Sequence, residues 1–180
     1  VAYDSNETGS SGRWFQQVDA ASGAAVGTRI KVPKSNVGAD YSFPVESRVP
    51  IAVVGGAVYT AWAQGYPTTN KLALWRVGTA QPKLWTPGYK VTAVGIARTP
   101  AGALWLFWAD AGTGTIYAMR SNNARSVWGQ TITVGRPFRN AETVYKMVGD
   151  ANRSDGKLNL FTASATYVAS PTWYHTVVAP

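Results

Sequence analysis

Nine acids and one histidine are the proton-transfer groups, lysine and tyrosine apart, that these 180 residues offer, and there is no cysteine. That inventory excludes disulfides, thiolate metal sites and cysteine nucleophiles. A histidine metal cluster is excluded as well, and a Ser-His-Asp triad would have to be built on His175, which lies in a strand pattern and reads as a strand residue. Glycoside hydrolysis requires two placed carboxylates, or a tyrosine helped by a glutamate. Asp40, Glu46, Asp110 and Glu142 are the available acids, but none lies in a motif specific enough to assign a catalytic role.

Three further patterns fall short of a chemistry. The run Asp150-Ala151-Asn152-Arg153-Ser154-Asp155-Gly156 approaches a calcium loop, yet its glycine comes one place late and no glutamate closes it, so it reads as a polar hairpin turn. Gly112-Thr113-Gly114 is a hairpin turn without the helix that phosphate binding needs. Asn6-Glu7-Thr8 and Asn152-Arg153-Ser154 fit the glycosylation sequon, which matters only in a eukaryotic secretory host. No cofactor and no metal is expected.

The elements that would position these side chains are written as a repeat. Gly56-Ala57-Val58-Tyr59-Thr60-Ala61-Trp62-Ala63, Gly102-Ala103-Leu104-Trp105-Leu106-Phe107-Trp108-Ala109 and Gly156-Lys157-Leu158-Asn159-Leu160-Phe161-Thr162-Ala163 each give a turn and then an apolar strand. The opening Val1-Ala2-Tyr3-Asp4 matches the end of the same strand. A polar loop and a second strand follow each, at 13–18, 72–77, 115–120 and 172–177. Apolar strands precede three of them, at 49–54, 91–97 and 144–149, and weaker ones follow three, at 26–32, 83–85 and 131–134.

Four antiparallel strands recurring every 46 to 59 residues match the β-propeller blade, whose period is roughly 40 to 50. A two-sheet sandwich alternates similarly but has no need of the same hairpin four times. The expected fold is therefore all-β: one propeller segment over 1–180 with about four four-stranded blades, near 1–33, 48–86, 91–135 and 143–180. The pattern opens inside the second strand of its first blade and stops after the third strand of its last. Because an open ring leaves exposed edges, a longer parent chain or other chains are expected to complete it.

Antiparallel blades send the loops that follow their second strands, and the connections between blades, to one face, where propeller ligands usually gather. Asp4, Glu7, Asp40, Glu46, Asp110 and Glu142 fall on this face or its rim, with Arg48, Arg136, Arg139, Tyr41, Tyr66 and Tyr167. Aromatic rings stack on the C–H faces of sugars while carboxylates and arginines fix hydroxyls. The candidate ligand-binding residues are Arg48, Tyr66, Asp110, Arg136, Glu142 and Tyr167.

Ser121-Asn122-Asn123-Ala124-Arg125-Ser126-Val127-Trp128 resembles the Asp-box turn, Ser-x-Asp-x-Gly-x-x-Trp, of bacterial sialidases and related propellers. Ser121 and Trp128 match; Asn123 stands for the aspartate and Arg125 for the glycine. The first blade has Gly23 at the fifth position of 19–26, and the second keeps Trp85 at the eighth position of 78–85. In that family the turn is structural, with the tryptophan packed between blades, so the resemblance implies fold and not chemistry.

Ser47-Arg48-Val49-Pro50-Ile51 looks like the Arg-Ile-Pro segment of sialidases. That likeness implies an anion-binding Arg48 at the start of an inner strand. Together the resemblances imply a secreted, extracellular bacterial protein, and the aromatics, amides and charges of the loop face, without an assignable catalytic set, make recognition of a glycan or cell-surface polymer the expected function. A sialidase-like glycoside hydrolase and a protein-interaction propeller are the alternatives.

Composition agrees with a folded chain and leaves its compartment open. Hydrophobic residues make up 46% and charged residues 14%, below the usual quarter or so. Glycines, prolines and aromatics are spread throughout, which suits many short strands and tight turns. No apolar stretch is long enough to span a bilayer, and the opening carries no basic or apolar leader, so any signal peptide is expected to have been removed. The net charge of +8 suits an anionic partner. No two basic residues adjoin, however, which fits scattered solubility charge and argues against a nucleic-acid face.

Overall fold

The computed structural model describes every residue except 6, 34, 36–40, 43–48, 66–67, 138–143 and 165–172, and gives the backbone alone for 4, 41, 42, 145 and 164. Within the described residues each regular element is a β-strand, and all pairing between strands is antiparallel. Four sheets follow one another along the chain.

The first sheet holds β1 (Ala2–Ser5), β2 (Gly12–Val18) and β3 (Ala25–Lys31) in that order. The second is built on β6 (Ala57–Gln64), which pairs on one edge with β7 (Lys71–Arg76), and β7 pairs in turn with β8 (Lys83–Trp85). The other edge of β6 is shared: β5 (Ile51–Val54) takes its first half and β4 (Tyr41–Ser42) its last two residues. The sheet is thus four strands wide from five segments. β4 lies inside a stretch that the sequence reads as a plain connection.

The third sheet runs β9 (Val91–Arg98), β10 (Leu104–Asp110), β11 (Ile116–Arg120) and β12 (Ile132–Gly135), and the fourth β13 (Val144–Asp150), β14 (Leu158–Ser164) and β15 (Trp173–Val178). Strand alternation decides how these sheets meet, because successive side chains point to opposite faces. On β10, Leu104, Leu106 and Trp108 join a core with Tyr59, Ala61, Leu72 and Leu74 of the second sheet. The intervening Trp105, Phe107 and Ala109 join Val144, Met147, Leu158 and Leu160 of the fourth. On β7, Ala73 and Trp75 turn the other way, into a core with Phe15 and Val32 beside the first sheet. The four sheets therefore stack face on face in chain order, and burying a Phe or Leu completely in such a layer is worth about 1.5–3 kcal/mol.

Size matching sharpens one of these contacts. Phe107 faces Gly95 across its own sheet, and a Cβ on Gly95 would come within 2.0 Å of its ring. A Cβ on Gly149, in the fourth sheet, would come within 2.5 Å of the same ring. Two glycines make the slot for one phenylalanine. Trp105 adds a polar tie between these sheets, its indole N–H donating to the Gly156 carbonyl at 2.9 Å.

The turns at the far end from the candidate ligand face carry local braces. Asp19 accepts hydrogen bonds from the N–H groups of Ala21 and Ser22 and from the Ser22 hydroxyl, with Gly23 left-handed at φ 70°. In the third sheet Asn122, rather than Asn123, closes the turn, its Oδ1 accepting from the N–H groups of Ser126 and Val127. Ser121 and Trp128 form a β-bridge across it, and Trp128 meets Trp85 of the second sheet edge to face at 5.4 Å. In the fourth sheet the polar hairpin holds its own charge pairs: Arg153 and Lys157 flank Asp155 at 3.0 and 3.4 Å, and its carboxyl is held down at about 2, chiefly by the Arg153 hydrogen bond.

Candidate ligand-binding face

The C-terminal ends of β6, β10 and β14 come out at the same end of the stack. They do so because the repeat sets them in register: Gln64, Asp110 and Ser164 each follow a conserved-length strand from Gly56, Gly102 and Gly156. This end carries the described members of the predicted ligand set.

Asp110 is buried, 7% exposed. Its Oδ1 accepts the Gly112 N–H at 2.8 Å and its Oδ2 the Thr113 hydroxyl at 2.6 Å, while its carbonyl accepts the Gly114 N–H at 2.9 Å. Gly114 takes the left-handed conformation, φ 70°, that this tight hairpin needs. The carboxylate is thus engaged on both oxygens by its own turn. Its place in the molecule is that of a brace which fixes the rim of β10 and β11.

Arg136 stands on the same rim, exposed, directly after β12. The register aligns Ala109, Ile116 and Gly135, so Arg136 lies one step beyond that row, level with Asp110 and two strands away, about 10 Å at the usual interstrand spacing. The fold brings these two predicted residues to one edge without direct contact. Arg48, Tyr66, Glu142 and Tyr167 lie outside the described residues, as do Asp40, Glu46 and Arg139.

Beside Asp110 is an aromatic group that the sequence did not single out. Tyr89, in the connection before β9, stacks on Tyr117 of β11 at 5.2 Å, and Tyr117 stacks on Trp108 of β10 at 6.0 Å. The Trp108 indole donates to the Tyr89 hydroxyl at 3.0 Å. Both tyrosines are half-buried. Burial pushes the Tyr89 phenol up to about 12, against the Trp108 hydrogen bond and with added repulsion from Tyr117 and Asp110. The adjacent Lys90 is exposed, and its carbonyl accepts the Ala111 N–H, tying this connection to the β10–β11 hairpin. The legible signal was the Gly88-Tyr89 pair in a short connection on the candidate face.

The second sheet contributes strain and unmet polarity at the same end. Thr69 is left-handed at φ 46°, a costly conformation for a β-branched residue. It is pinned there because its N–H donates to Gly65 and its carbonyl accepts from Val91 of the third sheet. The Thr69 hydroxyl and the Gln64 Oε1 are both buried without a hydrogen-bond partner, and each such atom costs about 1–3 kcal/mol. Among the described residues no group of His, Asp and Glu side chains is arranged to hold a metal ion, and no helix is long and apolar enough to cross a membrane.

This edge carries two stacked, half-buried phenol rings and two exposed cationic side chains, with two unpartnered polar atoms buried beside it. No two described carboxylates converge on it. No family model and no curated protein matches the chain.

Proposed function

We infer that the four sheets are consecutive blades of a β-propeller and that the chain is a carbohydrate- or cell-surface-recognition module of a secreted bacterial protein. The propeller reading is supported by the face-on-face stacking in chain order and by the inter-sheet Trp85–Trp128 contact at the Asp-box-like turn. The observation that carries the recognition reading is the Tyr89–Tyr117–Trp108 stack at the ligand edge, flanked by Lys90 and Arg136. The two tyrosine rings, half-buried against the buried Trp108 and with charge beside them, suit the C–H face and the acidic or hydroxyl groups of a sugar.

A labelled chain is applied to an array of bacterial cell-wall and host glycans, and hits are measured by titration calorimetry. Saturable binding is expected, weakened about tenfold by Tyr89→Ala and less by Arg136→Ala, in line with the loss of one aromatic anchor. Absence of saturable binding to every glycan would favour a protein-interaction role. Turnover of a fluorogenic sialoside, abolished by Arg48→Ala, would replace this reading with the sialidase-like hydrolase.

A further inference from the structure

The outward face of the fourth sheet presents apolar surface where its equivalents are covered. Phe161 occupies the repeat position of Phe107, five residues after Gly156 and Gly102 respectively. Phe107 is 1% exposed and Phe161 42%. Alternation places Lys146, Val148 and Asp150 of β13 on this face, followed by Asn159, Phe161 and Ala163 of β14 and Trp173, His175 and Val177 of β15. The register makes these a grid of three rows: Lys146–Ala163–Trp173, Val148–Phe161–His175 and Asp150–Asn159–Val177. Val148, Trp173 and Val177 are about half exposed, and Phe161 stacks on His175 at 4.6 Å.

We propose that this face closes on the same face of a second copy, forming a two-fold sandwich between fourth sheets. The argument is charge and shape complementarity of the grid with itself. A two-fold axis lying between the sheets, perpendicular to the strands, keeps strand order and reverses the rows. Lys146 then faces Asp150 of the other copy and Asp150 its Lys146, while Trp173 faces Val177 and the central Phe161 meets its own mate. Opposite charges fall together twice, Val148 and Phe161 meet their own mates and Trp173 covers Val177, while the His175 rings meet each other and the buried Ala163 lies opposite Asn159, as an isologous interface requires.

The other end of the stack does not fit this face. The first sheet's outward side carries Trp14 with the Arg29 guanidinium over its ring at 4.4 Å and Lys31 at 5.6 Å. Docking that side head to tail on the fourth sheet would desolvate cations against Phe161 and Val148, next to Lys146, at a cost that the contact does not repay.

Sedimentation velocity across a hundredfold range of concentration tests the proposal with the 180-residue chain itself. The expected species is twice 19.3 kDa, with Phe161→Asp weakening association at least about 30-fold, as for a central interface anchor. Lys146→Glu and Asp150→Lys each weaken it about fivefold, and the two combined in one chain restore it. Circular dichroism and thermal unfolding establish that each variant is folded. Trp173→Lys, at the exposed margin, repeats the apolar test if Phe161→Asp does not fold. A monomer at every concentration overturns the proposal. So do assemblies larger than two, which signal head-to-tail contact, a dimer indifferent to Phe161→Asp or its substitute, or a double charge reversal weaker than either single one.

Discussion

Arg125 adopts φ 63° at the fifth position of its turn, where the first sheet has Gly23 at φ 70°. A left-handed non-glycine residue costs about 1 kcal/mol or more, and here the side chain offsets that. Its guanidinium donates to the carbonyls of Gly102 and Asn123 and to the Tyr59 hydroxyl in the second sheet, all within 3.1 Å. Arg125→Ala keeps the strain and loses the bonds, so it should destabilise by about 1–3 kcal/mol in urea unfolding. Arg125→Gly loses the same bonds but relaxes the backbone, and should cost less than the alanine. Equal losses would show that the backbone conformation carries no penalty.

In the sequence Arg125 reads only as a departure from the Asp-box pattern. The reason it is tolerated is a contact 66 residues away, which no local pattern could reveal. The Asn122/Asn123 choice was similarly illegible, since adjacent identical residues are separated only by the direction each side chain takes in the turn. Tyr89 gives a pH test at this scale. Its phenol is raised from 10.0 to about 12, so the folded state favours the neutral form. That contribution is complete below pH 10 and fades as pH climbs toward 12. A titration at 295 nm should show one tyrosine ionising near pH 12 in the native protein, and Tyr89→Phe should remove that phase.

Between elements, the Phe107 slot makes the closest demand. Gly149→Ala would bring a methyl to 2.5 Å from the Phe107 ring and 2.9 Å from Leu158, an overpacking that should cost about 1–3 kcal/mol. In a Phe107→Leu background the added cost should fall, because the smaller side chain leaves room. A double-mutant cycle in chemical denaturation measures that coupling. All seven residues of β10 are buried, and this explains what the sequence could and could not say about it. A strand covered on both faces is apolar at every position, so its existence was plain while the facing of Trp105 against Leu106 was not. β4 was missed for the opposite reason: Tyr41–Ser42 is too short to show alternation, and its pairing depends on β6.

For the whole molecule, nearest-neighbour stacking implies uneven stability, as in other repeat architectures. The third sheet is covered on both sides, whereas in a single chain, at concentrations too low for pairing, the first and fourth each present a face outward. Amide hydrogen exchange should therefore be slowest in β10 and faster in β1 and β15. Uniform protection across the four sheets would point to a single cooperative unit instead. The candidate site was less legible than this framework. Hydrophobic periodicity located the strands and the end at which their loops emerge. It did not show that Asp110 is committed to its hairpin, or that Tyr89 and Tyr117 stack, because those facts depend on side chains meeting across a turn and a connection.

The glycine slot also bears on how freely the repeats could be exchanged. Phe107 is matched by Gly149, whereas Ala61, at the same position of the second sheet, shares its core with Ile96, the counterpart of Gly149. Duplicating the third sheet behind itself would drive Phe107 into Ile96, and grafting the fourth behind the second would leave a void between Ala61 and Gly149. Each junction has its own key, so these sheets are parts with an assigned order, and rebuilding the stack by recombination would require both sides of a junction to change together.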